Sequence, residues 1–444
     1  MVGPNETFLE IPCELELGEG DDPYTGRIIL SEGGNLRIEF EEGVVHPFTD
    51  IYSSWASVEG VDKRGYDVHM ERVRAGDIHD CSLLSINGDT VSLTQDPDHA
   101  PDKQIEVVVE FDVVCFQPEI PPRNEVDTET RNMFQQISNQ NNSDVDIPKE
   151  IEIRYTESDE RAIYGVPLTD TKERTEAIEE HRRPVRTGKI RVKQRIHGDL
   201  AHQVEMAKES VHKVLEISQL IQETAPRLIR AKIISMDGIS VDDLDVHYEL
   251  LKTGSTANVG GRFSSFPDHV LRGDFPEYVK QAYENYTPRV RDDLRVRQVL
   301  GYYIDARDPD RPVEGKMLST CSAIELLALK HAQEDEVSTS TGPKIEHLVD
   351  KLDVETEDLA SQVVPDVDEL DTPAYFWSPG RNYVSHGDPH VSTGELIEMQ
   401  EVTLVLLKRI LRNQLLGSEN DSFDRFYSMR ARPRIKFGDD SDNG

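Results

Sequence analysis

The chain has 444 residues, carries 85 acidic against 49 basic side chains, and has a formal net charge of −36. No apolar stretch approaches the roughly 20 residues that cross a bilayer, which excludes a membrane-spanning protein, and the length predicts a multidomain chain. The acidic residues are spread evenly through periodic segments. We therefore expect a protein of an extreme halophile. At molar salt the electrostatic screening length falls to about 3 Å, so the acidic surface would repel RNA only weakly.

Residues 1–118 are predicted to form an N-terminal all-β sandwich or barrel of seven or more strands. Asn87-Gly88 predicts a hairpin between segments 82–86 and 90–94. A long β-branched run over 105–116 closes this unit, and no catalytic cluster stands out in it.

A stretch rich in proline, Asn, Gln and Asp over residues 119–148 predicts a linker. Residues 149–280 then mix both element types and predict a middle α+β region. We expect a strand near residues 150–155, and one or two helices over 199–234 that are broken near Pro226.

One segment of the middle region is basic within an acidic chain. If residues 189–196 form a strand, four cations share one of its faces. These are Lys189, Arg191, Lys193 and Arg195. This face is a candidate RNA-binding surface that guides a phosphate backbone. The equally weighted alternative is a surface strand whose cations pair with nearby carboxylates.

The most informative segment lies late in the chain, where Arg381, Asn382 and His386 are followed by Gly387. On a helix, Asn382 and His386 share a face, and the long side chain of Arg381 can reach the same spot. Gly387 suits a left-handed C-cap, which would leave His386 on the last turn. Arginine and histidine recur at similar spacing elsewhere, but the string Arg-Asn-x-x-x-His occurs once.

Helix signals surround this segment. Ser378 followed by Pro379 predicts an N-cap and a first helical residue. Ser392 and Glu395 form a capping-box pattern at the start of a long amphipathic helix. The apolar positions of that helix are Leu396, Thr403, Leu404, Leu407, Ile410, Leu411 and Leu415.

With these motifs, residues 285–416 resemble a HEPN (higher eukaryotes and prokaryotes nucleotide-binding) domain of the Apea-like branch. The matching pieces are Val299-Leu300-Gly301-Tyr302-Tyr303, the segment 318–327 that contains Glu325, and the Arg381 segment. The resemblance implies a C-terminal all-α HEPN helical bundle over 281–417. It also implies a homodimer with a composite cleft and metal-independent ribonuclease activity in antiviral, abortive-infection defence. Apea-like proteins carry a β-rich module ahead of this domain, which we expect to sense or recruit a ligand. The Ser-Pro-Gly just before Arg381 departs from the family pattern.

The chemistry of such a site can be argued from its side chains. RNA carries its own nucleophile, the 2′-hydroxyl, so a nuclease needs only a base, a charge clamp and in-line geometry. Histidine is the base suited to neutral pH, which is the role assigned to His386. Arg381 offers a planar fork of donors to the phosphate, and Asn382 holds the imidazole or bonds a phosphate oxygen. The products would be a 2′,3′-cyclic phosphate and a 5′-hydroxyl.

Glu325 falls within the apolar stripe of a predicted helix over residues 316–331. The stripe consists of Leu318, Cys321, Ile324 and Ala328. Because a buried carboxylate is costly unless it is paired, we predict that Glu325 faces the cleft and orients Arg381. The alternative is a carboxylate at the edge of the core that pairs with Lys316 or Lys330.

Neither a cofactor nor a metal is predicted. His386, Asp388 and His390 lie on one short loop, which rarely supplies enough ligand geometry for a metal ion. The four cysteines show no Cys-x-x-Cys spacing and no secretory signal opens the chain, so we expect reduced thiols in the cytoplasm. Residues 418–444 are predicted to be a disordered tail.

Two function classes follow. The first is a toxin-like ribonuclease that binds RNA as substrate and stays idle until a trigger or an antitoxin partner releases it. The second is a non-catalytic HEPN protein that dimerises or binds nucleotide or RNA, while the β-rich module recognises a ligand. Cyclic-phosphate ends and toxicity that depend on Arg381 and His386 would separate the two.

Overall fold

A computed structural model of the chain describes residues 5–16, 23–44, 55–62, 67–75, 78–79, 82–87, 90–94, 105–116, 118, 152–158, 160–168, 174, 184–196, 200–236, 239–240, 247–251, 274–364, 370, 372–387 and 391–417. The chain divides into two compact units, Met1–Ser264 and Ser265–Gly444. The predicted linker over 119–148 and the predicted tail over 418–444 lie outside the described residues.

Among its described residues, the first unit has antiparallel strands and one long helix, α1 (Leu200–Gln222). The strands are β1 (Thr7–Glu16), β2 (Tyr24–Ser31), β3 (Leu36–Val44), β4 (Trp55–Asp62), β5 (Asp67–Ala75), β6 (Ile78–His79), β7 (Ser82–Asn87), β8 (Thr90–Thr94), β9 (Ile105–Val114), β10 (Ile153–Glu157), β11 (Arg161–Pro167), β12 (Arg186–Ile196), β13 (Arg227–Met236), β14 (Ile239–Ser240) and β15 (His247–Leu251).

Six of these strands form a closed ring. β1 pairs with β2 and β4, β2 pairs with β3, and β4 pairs with β5. β7 closes the ring because it pairs with both β3 and β5. Alternate side chains of these strands point inward, and Leu15, Ile28 and Met70 are fully buried in the resulting core.

The sheet continues from this ring through β8, which lies between β5 and β15. Further along the same sheet, β9 lies between β12 and β13. The predicted self-contained sandwich or barrel over 1–118, separate from an α+β region over 149–280, is therefore wrong. β9 buries Val107, Val109 and Phe111 on one face, and each of its two edges needs a partner strand. Strands from later in the sequence occupy both edges, and an apolar pattern alone does not identify such partners.

Two local predictions are also wrong. β7 and β8 flank Asn87-Gly88 but do not pair with each other, since β7 pairs with β3, β5 and β6. The helical prediction over 199–234 is right about a break near Pro226, since α1 ends at Gln222, but the residues after Pro226 form strand β13 and not a second helix. Leu228, Ile229, Arg230, Ala231 and Ile233 of this strand are buried, and such a nearly continuous buried run does not distinguish a strand from a helix by its periodicity.

In the second unit, the described elements are helical. They are α2 (Asp274–Asn285), a π-helical turn (Arg289–Asp293), α3 (Val296–Arg307), α4 (Val313–Glu334), α5 (Thr341–Lys351), α6 (Glu357–Val363), a 3-10 turn (Pro373–Tyr375), α7 (Ser378–His386) and α8 (Thr393–Leu416). Among the described helices, none combines the length and the apolar composition needed to cross a bilayer.

The central helix of this unit is α4, which packs against α3, α5, α7 and α8. The predicted C-terminal all-α HEPN bundle is not evident in this arrangement. Two long helices of 22 and 24 residues are surrounded by helices of 7 to 12 residues and by irregular turns. Helices of such different length cannot pair side by side over their whole length, as an up-and-down bundle requires. The motif resemblance therefore did not predict the packing.

Candidate active site

The motif helix α7 is anchored at its first turn. Trp377, the N-cap residue, is fully buried, and Ser378 lies one residue inside the helix without capping it. The predicted N-cap at Ser378 is therefore wrong by one residue. Gly380 is buried against the two long helices, and a Cβ there would stand 2.6 Å from Met399 Sδ and 2.8 Å from Met317 Cε. The Ser-Pro-Gly sequence thus lets α7 approach α4 and α8 closely.

The far end of α7 and the start of α8 follow the sequence prediction. Gly387 adopts φ 70° and ψ 39°, and its N–H donates to the Tyr383 carbonyl at 2.8 Å. This confirms the left-handed C-cap and leaves His386 exposed on the last turn. The capping box between Ser392 and Glu395 is confirmed, and all seven predicted apolar positions of α8 are buried.

Arg381 on α7 pairs with Glu325 on α4. Its Nε donates to Glu325 Oε1 at 3.0 Å, and 28% of the arginine side chain and 22% of the glutamate side chain remain exposed. This confirms the predicted pairing in preference to Lys316 or Lys330. The predicted apolar stripe beside Glu325 is only partly buried, because Leu318 is 50% exposed.

The pair fixes the charge states around it. The hydrogen bond to Glu325 raises the pKa of Arg381 above its ordinary value. Burial, with the added charge of Glu325, raises the pKa of the Cys321 thiol, which lies one turn before the carboxylate. The site therefore presents a permanent cation and an inert thiol. Neither Nη1 nor Nη2 of Arg381 has a hydrogen-bond partner among the residues that the structure describes, and neither is buried.

Asn382 and His386 are exposed, and within the described part of the chain neither side chain has a hydrogen-bond or ion-pair partner. Ideal helix geometry places them about 40° apart around the axis of α7, whereas Arg381 and His386 are about 140° apart and roughly 7.5 Å apart along it. Neither functional group lies in the packed core. Arg381 and His386 thus leave α7 in nearly opposite directions, and their convergence on one phosphate stays a prediction.

Two of the three residues weighed as a metal site, Asp388 and His390, lie outside the described residues. Elsewhere in the described ranges, no group of three or more His, Cys, Asp or Glu side chains is arranged to hold a metal ion.

The basic strand of the first unit is β12, as predicted, with Ile190 and Val192 buried on its other face. Its cations face the carboxylates of β9. Arg191 Nη2 lies 2.9 Å and Lys189 Nζ 3.3 Å from Glu110, and Lys193 Nζ lies 2.9 Å from Glu106. Arg195 is exposed. RNA binding by this strand stays a prediction, and the pairing favours the structural alternative.

A buried ion network, which was not predicted from the sequence, lies at the start of this strand. Asp112 is fully buried and binds Arg186 (2.9 Å) and Arg230, and Arg186 also binds Glu32 (3.2 Å). The guanidinium carbons of both arginines lie over the Phe8 ring, at 4.0 and 4.8 Å from its centroid. The network joins β1 and the β2–β3 connection to β9, β12 and β13. The available signal was Asp112 itself, a carboxylate within an apolar β-branched run.

Comparisons with models of protein families, with curated proteins and with solved structures find no match to this chain.

Proposed function

We propose that the chain is a metal-independent endoribonuclease whose active site lies at α7, with His386 as general base and Arg381 as phosphate clamp. The observation that carries this proposal is the Arg381–Glu325 pair. It anchors the guanidinium through Nε and leaves Nη1 and Nη2 unbonded to any described residue, on the same short helix as the exposed His386. The residue-level resemblance to Apea-like HEPN proteins supports the same chemistry.

In the proposed reaction, a ring nitrogen of His386 takes the proton from the 2′-hydroxyl of the substrate. The 2′-oxygen forms a bond to phosphorus, and the bond from phosphorus to the 5′-oxygen breaks. That oxygen leaves with a proton returned by the same histidine or a second one. Charge grows on the phosphoryl oxygens during this step, so the Arg381 fork binds the transition state more tightly than the substrate. Asn382, one turn before His386, orients the imidazole or binds a phosphate oxygen.

The cellular setting is part of the proposal. Cys13, Cys115 and Cys321 are free buried thiols, which agrees with a reducing cytoplasm. The resemblance to Apea-like HEPN proteins implies a homodimer formed through the second unit, and Leu318 on α4 (50% exposed) and Ile397 on α8 (44% exposed) are positions where it can be tested. The proposal also includes a trigger or antitoxin that controls the activity, and a role in abortive-infection defence.

The test is cleavage of a defined RNA, with the ends of the products identified. We expect wild-type protein to leave 2′,3′-cyclic phosphate and 5′-hydroxyl ends in the presence of a chelator. His386→Ala should lower the rate by about 10²–10⁴, and Arg381→Ala by about 10²–10³. His202→Ala, an exposed histidine of α1 in the other unit, is the matched control and should retain full activity.

The alternative of a non-catalytic binding protein makes the opposite prediction. RNA would bind, but no cyclic-phosphate ends would form, and expression in cells would be equally harmless with or without His386. RNA cleavage at the wild-type rate in both Arg381→Ala and His386→Ala would show that α7 is not the active site.

A further inference from the structure

The first turn of α5 has backbone donors that no described side chain caps. Ser340 is the N-cap residue, but its hydroxyl lies 2.7 Å from the Ser338 hydroxyl and makes no capping bond. The N–H groups of Thr341 and Gly342 have no hydrogen-bond partner among the residues that the structure describes. This turn also carries no acidic side chain, although the chain has 85 of them. The positive end of this 11-residue helix is therefore left uncompensated by its own side chains.

Lys344, in the same turn, is a second feature of this end of α5. Only 8% of the residue is exposed, yet its ammonium has no hydrogen-bond or ion-pair partner in the described part of the chain. Lys344 begins the buried stripe of α5, which continues with Ile345, Leu348 and Val349. Because helical side chains lean toward the N-terminus of their helix, the ammonium extends toward the uncapped turn. A largely buried cation without a partner is unfavourable, and a bound anion would remove that cost.

Thr372 brings a hydroxyl to the same turn from a distant part of the sequence. A Cβ added at Gly342 would stand 3.0 Å from Thr372 Oγ1, so the glycine lets this hydroxyl lie against the first turn of α5. Thr372 is half-buried, and its hydroxyl has no hydrogen-bond partner within the described ranges. Two backbone amides and a hydroxyl therefore lie at this turn, and the ammonium of Lys344 extends toward it.

Helix N-termini bind anions through their free N–H groups and the helix dipole. A phosphate has several oxygens and accepts donors from different directions. We propose that the first turn of α5 binds a phosphate group, either as inorganic phosphate or as the end of a phosphate monoester. The Thr341 and Gly342 amides and the Thr372 hydroxyl donate to its oxygens, and Lys344 balances its charge. This proposal does not depend on the function assigned to α7.

The test is isothermal titration calorimetry of inorganic phosphate with the full-length protein, at constant ionic strength. Binding is measured directly because phosphate also stabilises folded proteins non-specifically. We expect saturation at one phosphate per chain. Lys344→Met keeps the aliphatic stem, and Thr372→Val keeps the shape of the side chain. Each variant removes one donor to a charged group and should weaken binding roughly 10- to 100-fold. Lys330→Met, at a half-buried lysine of α4, is the control and should bind like wild type.

A parallel titration with adenosine 5′-monophosphate separates the two forms of the ligand. Tighter binding of the nucleotide, with the same loss in Lys344→Met, would identify a monoester, and tighter binding of inorganic phosphate would identify the free ion. The melting temperatures of the variants, followed by circular dichroism, show that they fold; if Lys344→Met does not, Thr372→Val decides. Wild-type protein without saturable binding of either probe would overturn the proposal. So would a folded Lys344→Met that binds phosphate as tightly as wild type, since Lys344 would then only cover its apolar neighbours.

Discussion

The backbone N–H of Gly380 lies 3.1 Å from the Sδ of Met399, and a Cβ added at 380 would stand 2.8 Å from Met317 Cε. The first turn of α7 therefore enters a slot between α4 and α8, where a side chain at 380 would have to displace the ends of two methionine side chains. Arg381 is the next residue along α7. We therefore expect the glycine at 380 to support the pairing of Arg381 with Glu325.

Gly380→Val should therefore displace α7. We expect a loss of about 1–3 kcal/mol in the free energy of unfolding from overpacking, together with loss of RNA cleavage. The chain has two tryptophans, Trp55 and Trp377. In a Trp55→Phe background, Trp377 fluorescence during urea denaturation reports on the second unit alone.

The matched control for this prediction is Gly301→Ala on α3, where an added Cβ meets nothing within 4 Å. It should stabilise the unit by about 0.5–1 kcal/mol, because alanine is the better helix former. A Gly380→Val protein as stable and as active as wild type would show that the slot is not what positions α7.

Glu325 is expected to act as a positioning residue. Glu325→Ala should change the free energy of unfolding by less than about 1 kcal/mol, because both partners are partly exposed. It should nevertheless lower kcat by about 100-fold, because the guanidinium loses its anchor. Glu325→Gln keeps an acceptor for Arg381 Nε and should recover most of the activity. Glu334→Ala, which removes the exposed pair with Arg289, is the control; equal losses in both alanine variants would deny Glu325 a special role.

The local parts of the site could be predicted from sequence, because their partners are close in the chain or have a strong chemical preference. The C-cap at Gly387, the Ser392–Glu395 capping box and the pairing of Glu325 are of this kind. The partners of Gly380 were missed because methionine side chains from two other helices form the slot.

The fold was harder to predict for a related reason. The apolar β-branched run over 105–116 predicts that β9 is buried. It does not say which strands flank β9, and those strands come from 70 or more residues later in the chain. The same limit applies to Asp112. Its position within an apolar run predicts an ionic partner, but Arg186 and Arg230 become its neighbours only through the pairing of β9 with β12 and β13.

The Asp112 network should make the first unit sensitive to acid. Burial raises the pKa of Asp112, but Arg230 and Arg186 outweigh it and hold that pKa below the ordinary value. Its stabilising effect is therefore present above the unfolded-state pKa of about 4 and is lost as the pH falls through the lower folded-state pKa. Asp112→Asn should cost about 3 kcal/mol at pH 7, the lower end for breaking a buried pair, since Arg186 keeps Glu32 and Arg230 keeps Glu110 as partners.

Hydrogen exchange of the β9 and β12 amides measures this effect. Glu10→Gln, which breaks the exposed pair with Arg27, is the control and should leave protection unchanged. Equal protection of β9 in Asp112→Asn and wild type at pH 7 would contradict the structural role of the network.

The homodimer proposal predicts that charge at the exposed apolar positions separates the subunits. Leu318→Glu and Ile397→Glu should each yield monomers in light scattering after size exclusion, and should retain the helical content of the wild type. Val337→Glu, at another position of the second unit that is 40% exposed, should remain dimeric. A monomeric wild type at all concentrations would end the proposal.

His331 near the end of α4 should give the second unit a pH dependence at mildly acidic values. It is buried, and its Nε2 lies 2.8 Å from Gln414 Oε1. Because that oxygen accepts, Nε2 carries the proton, and Nδ1 is a buried nitrogen without a hydrogen-bond partner. Protonating Nδ1 would place a charged, unbonded N–H in the core. Burial accordingly lowers the pKa of His331, against the bond to Gln414.

Since the folded-state pKa is below the unfolded value of about 6.5, the unfolded chain binds more protons. Stability of the second unit should therefore be constant above about pH 7 and fall below it, by at most about 1.4 kcal/mol per pH unit. His331→Leu should remove this slope, although it leaves Gln414 without its donor and lowers stability at neutral pH. Urea denaturation followed through Trp377 between pH 7.5 and about 5 measures both. An unchanged slope in His331→Leu would show that a different group of the second unit causes the pH dependence.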